Sequence, residues 1–244
     1  MVITGGGSIM DRMAGSKHGV ETVDLRAAAG TSLSGMWTNA RAAQALAVVA
    51  HGAGAGMGHP FLAGVAEGLA SDGVTTLRFD FPYMQEGRRH PDRPSVLLES
   101  WRTALRAAQD RVGEPSGLPV VAGGKSLGGR MASMVAAEEG KRFGADALVF
   151  FGYPLHPPGK PDQLRDAHLS EVRVPMLFMQ GTADPFARFD LLQRVVARLG
   201  SRARLHVIDG GDHSLRVRGK RRGDAEIGRE AGSVAAQFIR EVAG

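Results

Sequence analysis

No cysteine occurs among the 244 residues. That absence excludes disulfides, thiolate metal sites and a cysteine nucleophile together, and it fits a reducing compartment. No apolar run approaches the roughly 18 residues that a membrane helix needs, and the first residues lack the continuous apolar stretch of a secretion signal. A cytoplasmic protein without a membrane partner is therefore expected. Aromatic residues make up 6% of the chain, which argues against a base-stacking platform. Thirty Lys and Arg against 25 Asp and Glu leave a net charge of +5, modest for a nucleic-acid binder, so no nucleic-acid partner is expected. The chemistry must come from oxygen and nitrogen groups.

What the chain has in quantity is glycine, 34 residues of it, and its placement is informative. A short apolar run at 118–122 stops at Gly124-Lys125-Ser126-Leu127-Gly128, and a helix-compatible segment follows. Strand, sharp turn, helix is the pattern of a nucleophile elbow, in which a strained turn pushes a serine oxygen out of the sheet and the neighbours must be small. The helix behind it supplies free N–H groups and a positive dipole end. A phosphate-binding P-loop would need glycine five positions before Gly124, where Pro119 stands. A second glycine loop, residues 51–58, follows the apolar run 45–50. As a dinucleotide fingerprint it fails, because Met57 and His59 occupy the positions that require glycine. His51-Gly-Ala-Gly instead suits a backbone that lends an N–H to an oxyanion.

Residues 1–18 have no periodicity and read as a loose tail, leaving 19–244 as one domain. Segments 21–26 and 31–37 alternate polar and apolar around Ala29-Gly30, predicting an antiparallel hairpin. Apolar runs at 45–50, 74–81, 118–122, 147–152, 174–180 and 203–208 predict buried strands. Helical spacing falls between them, as in Leu97, Trp101, Leu105 and Ala108, and again in Ile227, Ala231, Val234 and Phe238. An α/β fold follows, with a mostly parallel eight-stranded sheet and helices on both faces. Prolines 154, 157, 158 and 161 leave the segment 153–172 irregular and without room for a lid domain. In such a sheet, functional residues gather at the carboxyl ends of strands. Asp184 follows the seventh strand and His213 the eighth, giving the chain order Ser126, Asp184, His213 that an α/β-hydrolase triad follows.

With these residues in hand, the chain resembles the α/β-hydrolase superfamily from about residue 20 onward. The strings His-Gly-Ala-Gly-Ala-Gly-Met at 51–57, Phe-Pro-Tyr-Met at 81–84, Gly-Gly-Lys-Ser-Leu-Gly-Gly-Arg at 123–130 and Gly-Thr-Ala-Asp-Pro-Phe at 181–186 look like one lidless group. The segment 152–161 belongs with them. That group is similar to dienelactone hydrolases and includes predicted bacterial hydrolases, an animal testis-expressed protein and a histone acetyltransferase complex subunit. Dienelactone hydrolases carry a cysteine nucleophile, whereas this chain has Ser126.

The resemblance implies a serine hydrolase cleaving carboxylic esters of small molecules, with Ser126 as nucleophile, His213 as base and Asp184 as orienting acid. The N–H groups of Ala53 and Leu127 would hold the oxyanion, and neither metal nor cofactor is needed. Met57, Tyr83, Met84 and His156 stand at strand ends suited to line the mouth. Asp212 is the alternative acid. Lys125 is either a turn residue or an attractor of anionic substrates, and the run Arg216, Arg218, Lys220, Arg221, Arg222 is either solvated surface or a border of the cleft. A thioesterase or peptidase would share the same three groups. The rival from another class is a binding or scaffold protein that has kept the fold and lost turnover.

Overall fold

The computed structural model describes residues 18–26, 32–113 and 117–243. The expected tail therefore lies outside the described residues except for His18, as does the hairpin turn at 27–31. Eight strands form one sheet: β1 (Val20–Arg26), β2 (Ser32–Thr38), β3 (Ala45–Ala50), β4 (Val74–Phe79), β5 (Val120–Lys125), β6 (Ala147–Phe151), β7 (Met176–Gly181) and β8 (Ala203–Ile208). Their spatial order is β1-β2-β4-β3-β5-β6-β7-β8. β1 pairs with β2, and β2 with β4, in antiparallel fashion, while every later pairing is parallel.

Among the described residues six α-helices flank the sheet: α1 (Pro60–Ser71), α2 (Pro82–Gln85), α3 (Pro94–Val112), α4 (Leu127–Glu139), α5 (Phe189–Leu199) and α6 (Asp224–Ala243). Side chains of a strand alternate between faces, and the two cores sort accordingly. Ala45, Ala47, Val49, Val149 and Phe151 pack under α1 and α6. Leu46, Val48, Ala50, Leu148 and Phe150 pack under the helices of the opposite face. The central strands are thus buried on both sides, which is why they read as unbroken apolar runs.

The sequence-predicted strand 74–81 stops at Phe79, because residues 82–85 make the short turn of α2 begun by Pro82. The elbow helix begins at Leu127, earlier than the apolar pattern from Met131 implies. From β6 to β7 the chain is irregular apart from a 3-10 turn at Ala167–Glu171, so no lid covers the carboxyl edge of the sheet. The strand order reverses around β3, with β4 on one side and β5 on the other. The crevice beyond the carboxyl ends of β3 and β5 is the switch point at which open α/β sheets bind ligands.

Candidate active site

Ser126 stands between β5 and α4 with φ 50° and ψ −112°, one of two non-glycine residues with positive φ among the described residues. An L-residue in this region is strained by roughly 1–3 kcal/mol. The surroundings impose it. A Cβ on Gly124 or on Gly128 would lie 2.5 Å from the Ala50 carbonyl oxygen, so strand and helix meet only because both positions are bare.

The His213 imidazole lies between Ser126 and Asp184. Nε2 is 2.8 Å from Ser126 Oγ, and Nδ1 is 2.7 Å from Asp184 Oδ2. Asp184 is buried, and its carboxylate accepts from Gln180 Nε2 at 2.5 Å and from the Phe186 N–H at 2.7 Å as well as meeting the imidazole. Three contacts fix its plane. The Phe186 ring lies 4.3 Å from the imidazole at a 30° tilt and covers one face of it. Asp212, the alternative acid, is occupied in its own turn: Oδ1 accepts the N–H groups of Ser214 at 2.8 Å and Arg216 at 3.0 Å.

These groups open on a cavity of about 460 Å³, bounded by the 51–55 loop, Phe61, Leu62, Phe186, His213 and Ser214. The 51–55 loop is held from behind. Buried His51 donates from Nδ1 to the Gly52 carbonyl at 2.7 Å and accepts the Phe81 N–H on Nε2 at 3.1 Å, a pattern that requires the neutral ring. Burial lowers its pKa accordingly. The Tyr83 hydroxyl donates to the Ala53 carbonyl at 3.1 Å and reaches that of Gly52 at 3.4 Å. In a trans peptide the N–H points opposite the carbonyl. The Gly52 carbonyl is turned toward the His51 ring, so the Ala53 N–H of the same peptide is directed away from it, and Ala53 lines the cavity. The Leu127 N–H is in the first turn of α4, where helices have no internal acceptor.

The four residues expected to line the mouth are placed otherwise. Tyr83 is fully buried, its phenol pushed up to about 12 mainly by burial, so it remains a donor to the loop and forms no wall of the cavity. His156 is also buried. Its Nδ1 lies 2.8 Å from the Pro157 carbonyl, and its Nε2 accepts the Arg188 N–H at 2.8 Å. Met57 contributes backbone: its N–H donates to Asp80 Oδ1 at 2.6 Å, and its carbonyl accepts from Arg78 Nη1 at 2.9 Å. Met84 packs against the core. A strand end fixes a residue's place but not the direction of its side chain. Tyr83→Phe should therefore cost about 1 kcal/mol of stability, read as a lower Tm, and lower kcat more than it raises KM, because it loosens the 51–55 loop that borders the cavity. An unchanged kcat would separate Tyr83 from the site.

The basic run is partly spoken for. Arg216 borders the cavity, yet its guanidinium grips Asp224 through Nε at 2.8 Å and Nη2 at 2.7 Å, and Arg222 pairs with Glu226 and Glu230. The side-chain contacts of Gln180, Phe186 and His51 have no counterpart in the sequence reading, although His51 and Phe186 stand in the strings 51–57 and 181–186. Gln180 leaves one signal, a lone amide at the end of the apolar run 174–180.

A second serine–histidine contact exists, Ser133 Oγ to His168 Nε2 at 2.8 Å. The Ser133 hydroxyl, however, donates to the Arg130 carbonyl at 2.7 Å, so the imidazole serves it as donor, not as base. Burial drives His168 down to about 4, and neither residue borders the cavity. The nearby carboxylate, Asp166, binds Arg198 at 2.5 Å.

Among solved structures, the chain is similar to a dienelactone hydrolase from Anabaena variabilis, at 21% identity and a TM-score of 0.70, covering 92% of this chain and 98% of that one. An α/β serine hydrolase without a lid from Xanthomonas campestris matches at 18% identity and a TM-score of 0.67, covering 91% and 94%. The esterase domain of a Rhodothermus marinus protein matches at 17% identity and a TM-score of 0.68, covering 93% and 100%. The sequence profile of the family described as Alpha/beta hydrolase domain matches residues 43–240, most of the chain. On that match, with an eight-stranded sheet of the same architecture and no lid, the chain belongs to the α/β-hydrolase family.

Proposed function

We propose that this protein is a serine hydrolase that cleaves carboxylic esters of small molecules. The observation that carries the reading is the unbroken chain of contacts from Asp184 Oδ2 through the imidazole to Ser126 Oγ, at 2.7 and 2.8 Å, opening on a cavity. His213 takes the hydroxyl proton as Ser126 Oγ bonds to the ester carbonyl carbon. The Ala53 and Leu127 N–H groups receive the oxyanion, and such donors are each worth about 3–4 kcal/mol in acyl transfer. The imidazolium returns its proton to the leaving alkoxide, the acyl-enzyme remains, and water repeats the sequence with His213 again as base. Asp184 fixes the imidazole tautomer and steadies the imidazolium.

The esterase and dienelactone hydrolase among the structural relatives support the reaction class. The serine in place of the cysteine of dienelactone hydrolases points away from dienelactone turnover. A purely binding role has less support, because a strained serine aligned on an imidazole gives a scaffold nothing.

The absence of a lid and the limited cavity favour short acyl groups. Across nitrophenyl acetate, butyrate and palmitate, kcat/KM is expected to gain nothing from the longest chain, since methylenes beyond the cavity stay in water and add no binding. A preference for palmitate would contradict the short-acyl reading, and inactivity on every ester would sink the hydrolase.

A further inference from the structure

Lys125 ends β5, one position before Ser126. Its side chain runs beside Gly52, where a Cβ would meet Lys125 Cγ at 3.5 Å. The ammonium reaches across to the loop between β8 and α6, and Nζ donates to the main-chain carbonyl of His213 at 2.6 Å. The strand that carries the serine is thus tied to the loop that carries the histidine. We propose that Lys125 is a positioning residue, whose ammonium fixes the His213 backbone and thereby the distance from imidazole Nε2 to Ser126 Oγ. The proposal deepens the ester-hydrolase reading and rests on it.

The acceptor is the first support. The ammonium of half-buried Lys125 bonds here to the carbonyl of the histidine itself and not to a carboxylate, and a charged donor makes a stronger bond than a neutral one. The second support is the space around that bond. Gly152, at φ 69°, lies against it, and a Cβ there would stand 3.1 Å from Nζ and 2.8 Å from the His213 carbonyl oxygen. The third is the remainder of the loop. Among the described residues its other main-chain bonds, from Ala183 to Gly211, from Asp212 to Arg216 and from Leu215 to Asp212, do not involve the main chain of residue 213, whose side chain is held by Asp184.

The charges of Asp184 in the turn after β7 and of Asp212 in the turn after β8 favour the ammonium form of Lys125. Burial outweighs them and brings the amine down to about 8. The ammonium is therefore present at neutral pH and is lost above pH 8, where a neutral amine holds the carbonyl more weakly. Turnover should fall on the alkaline side as the amine titrates.

The lack of native cysteine permits a direct test. Lys125→Cys introduces a sole thiol bordering the cavity. Alkylation with bromoethylamine restores an ammonium at nearly the original reach, and alkylation with bromopropane gives a side chain of the same size without charge. Nitrophenyl acetate hydrolysis is measured from pH 6 to 10 for both forms and the wild type, together with Tm and fluorophosphonate labelling. The S-propyl form is expected to lose about 10- to 100-fold in kcat with KM within about twofold, and to lack the alkaline limb. The S-aminoethyl form should regain most of the rate and the limb. If the thiol variant does not fold, Lys125→Met carries the same expectation as the S-propyl form. An active wild type whose uncharged forms match it in kcat and pH profile would overturn the positioning role alone. A wild type that neither labels nor hydrolyses would overturn the ester-hydrolase reading and this proposal with it.

Discussion

Ser126→Ala is expected to lower kcat by about 10⁴-fold or more, because the residues that act with a nucleophile lose their effect when it is gone. Stability should hardly move, since alanine keeps the Cβ and with it the strain at φ 50° and ψ −112°. Ser126→Gly separates the two effects. It should be equally inactive but more stable by roughly 1 kcal/mol, because glycine adopts positive φ without steric penalty. For a chain of this size that difference corresponds to a Tm about 2–4 °C higher. Equal stability of the two variants would mean that the elbow stores no strain. Retained hydrolysis in either would remove Ser126 from the chemistry.

Asp184→Asn should cut kcat by about 10⁴-fold, the scale seen when a triad carboxylate becomes an amide and the histidine is left in the wrong tautomer. The local contacts explain why. Asp184 Oδ2 faces two nitrogens, Gln180 Nε2 and His213 Nδ1, and Oδ1 receives the Phe186 N–H. An asparagine amide that points its NH₂ at Gln180 and His213 forces the imidazole to turn its proton toward Ser126 or swing away, and the opposite orientation sets the NH₂ against the Phe186 N–H. Asp212→Asn should act through the turn instead, lowering Tm by loosening the bonds to Ser214 and Arg216 while costing kcat far less. The reverse ranking in purified, folded variants would assign the orienting acid to Asp212.

The parallel strands were legible because burial on both faces writes itself as runs such as Ala45–Ala50 and Ala147–Phe151. The elbow was legible because a close approach of strand and helix forces glycine at fixed offsets, and Asp184 and His213 because their strand ends were countable. What the sequence could not convey is direction. Tyr83 and Met57 were expected to line the mouth, yet one turns its hydroxyl to the Ala53 carbonyl and the other contributes its backbone. His156 follows β6 but is consumed by the Pro157 carbonyl and the Arg188 N–H. The four-residue α2 carries too little pattern to separate it from the strand before it. The bond from Lys125 to the His213 carbonyl joins residues 88 positions apart and has no periodic trace. Nor does the clasp of Arg216 on Asp224, which turns a run of positive charge into a partly neutralised rim.

A serine held on an imidazole at the switch point of the sheet should react as the nucleophile. Incubation with a fluorophosphonate followed by peptide mapping by mass spectrometry tests it directly. A single adduct on Ser126 is expected, prevented by Ser126→Ala. No adduct, or an adduct on Ser133 beside His168, would contradict it.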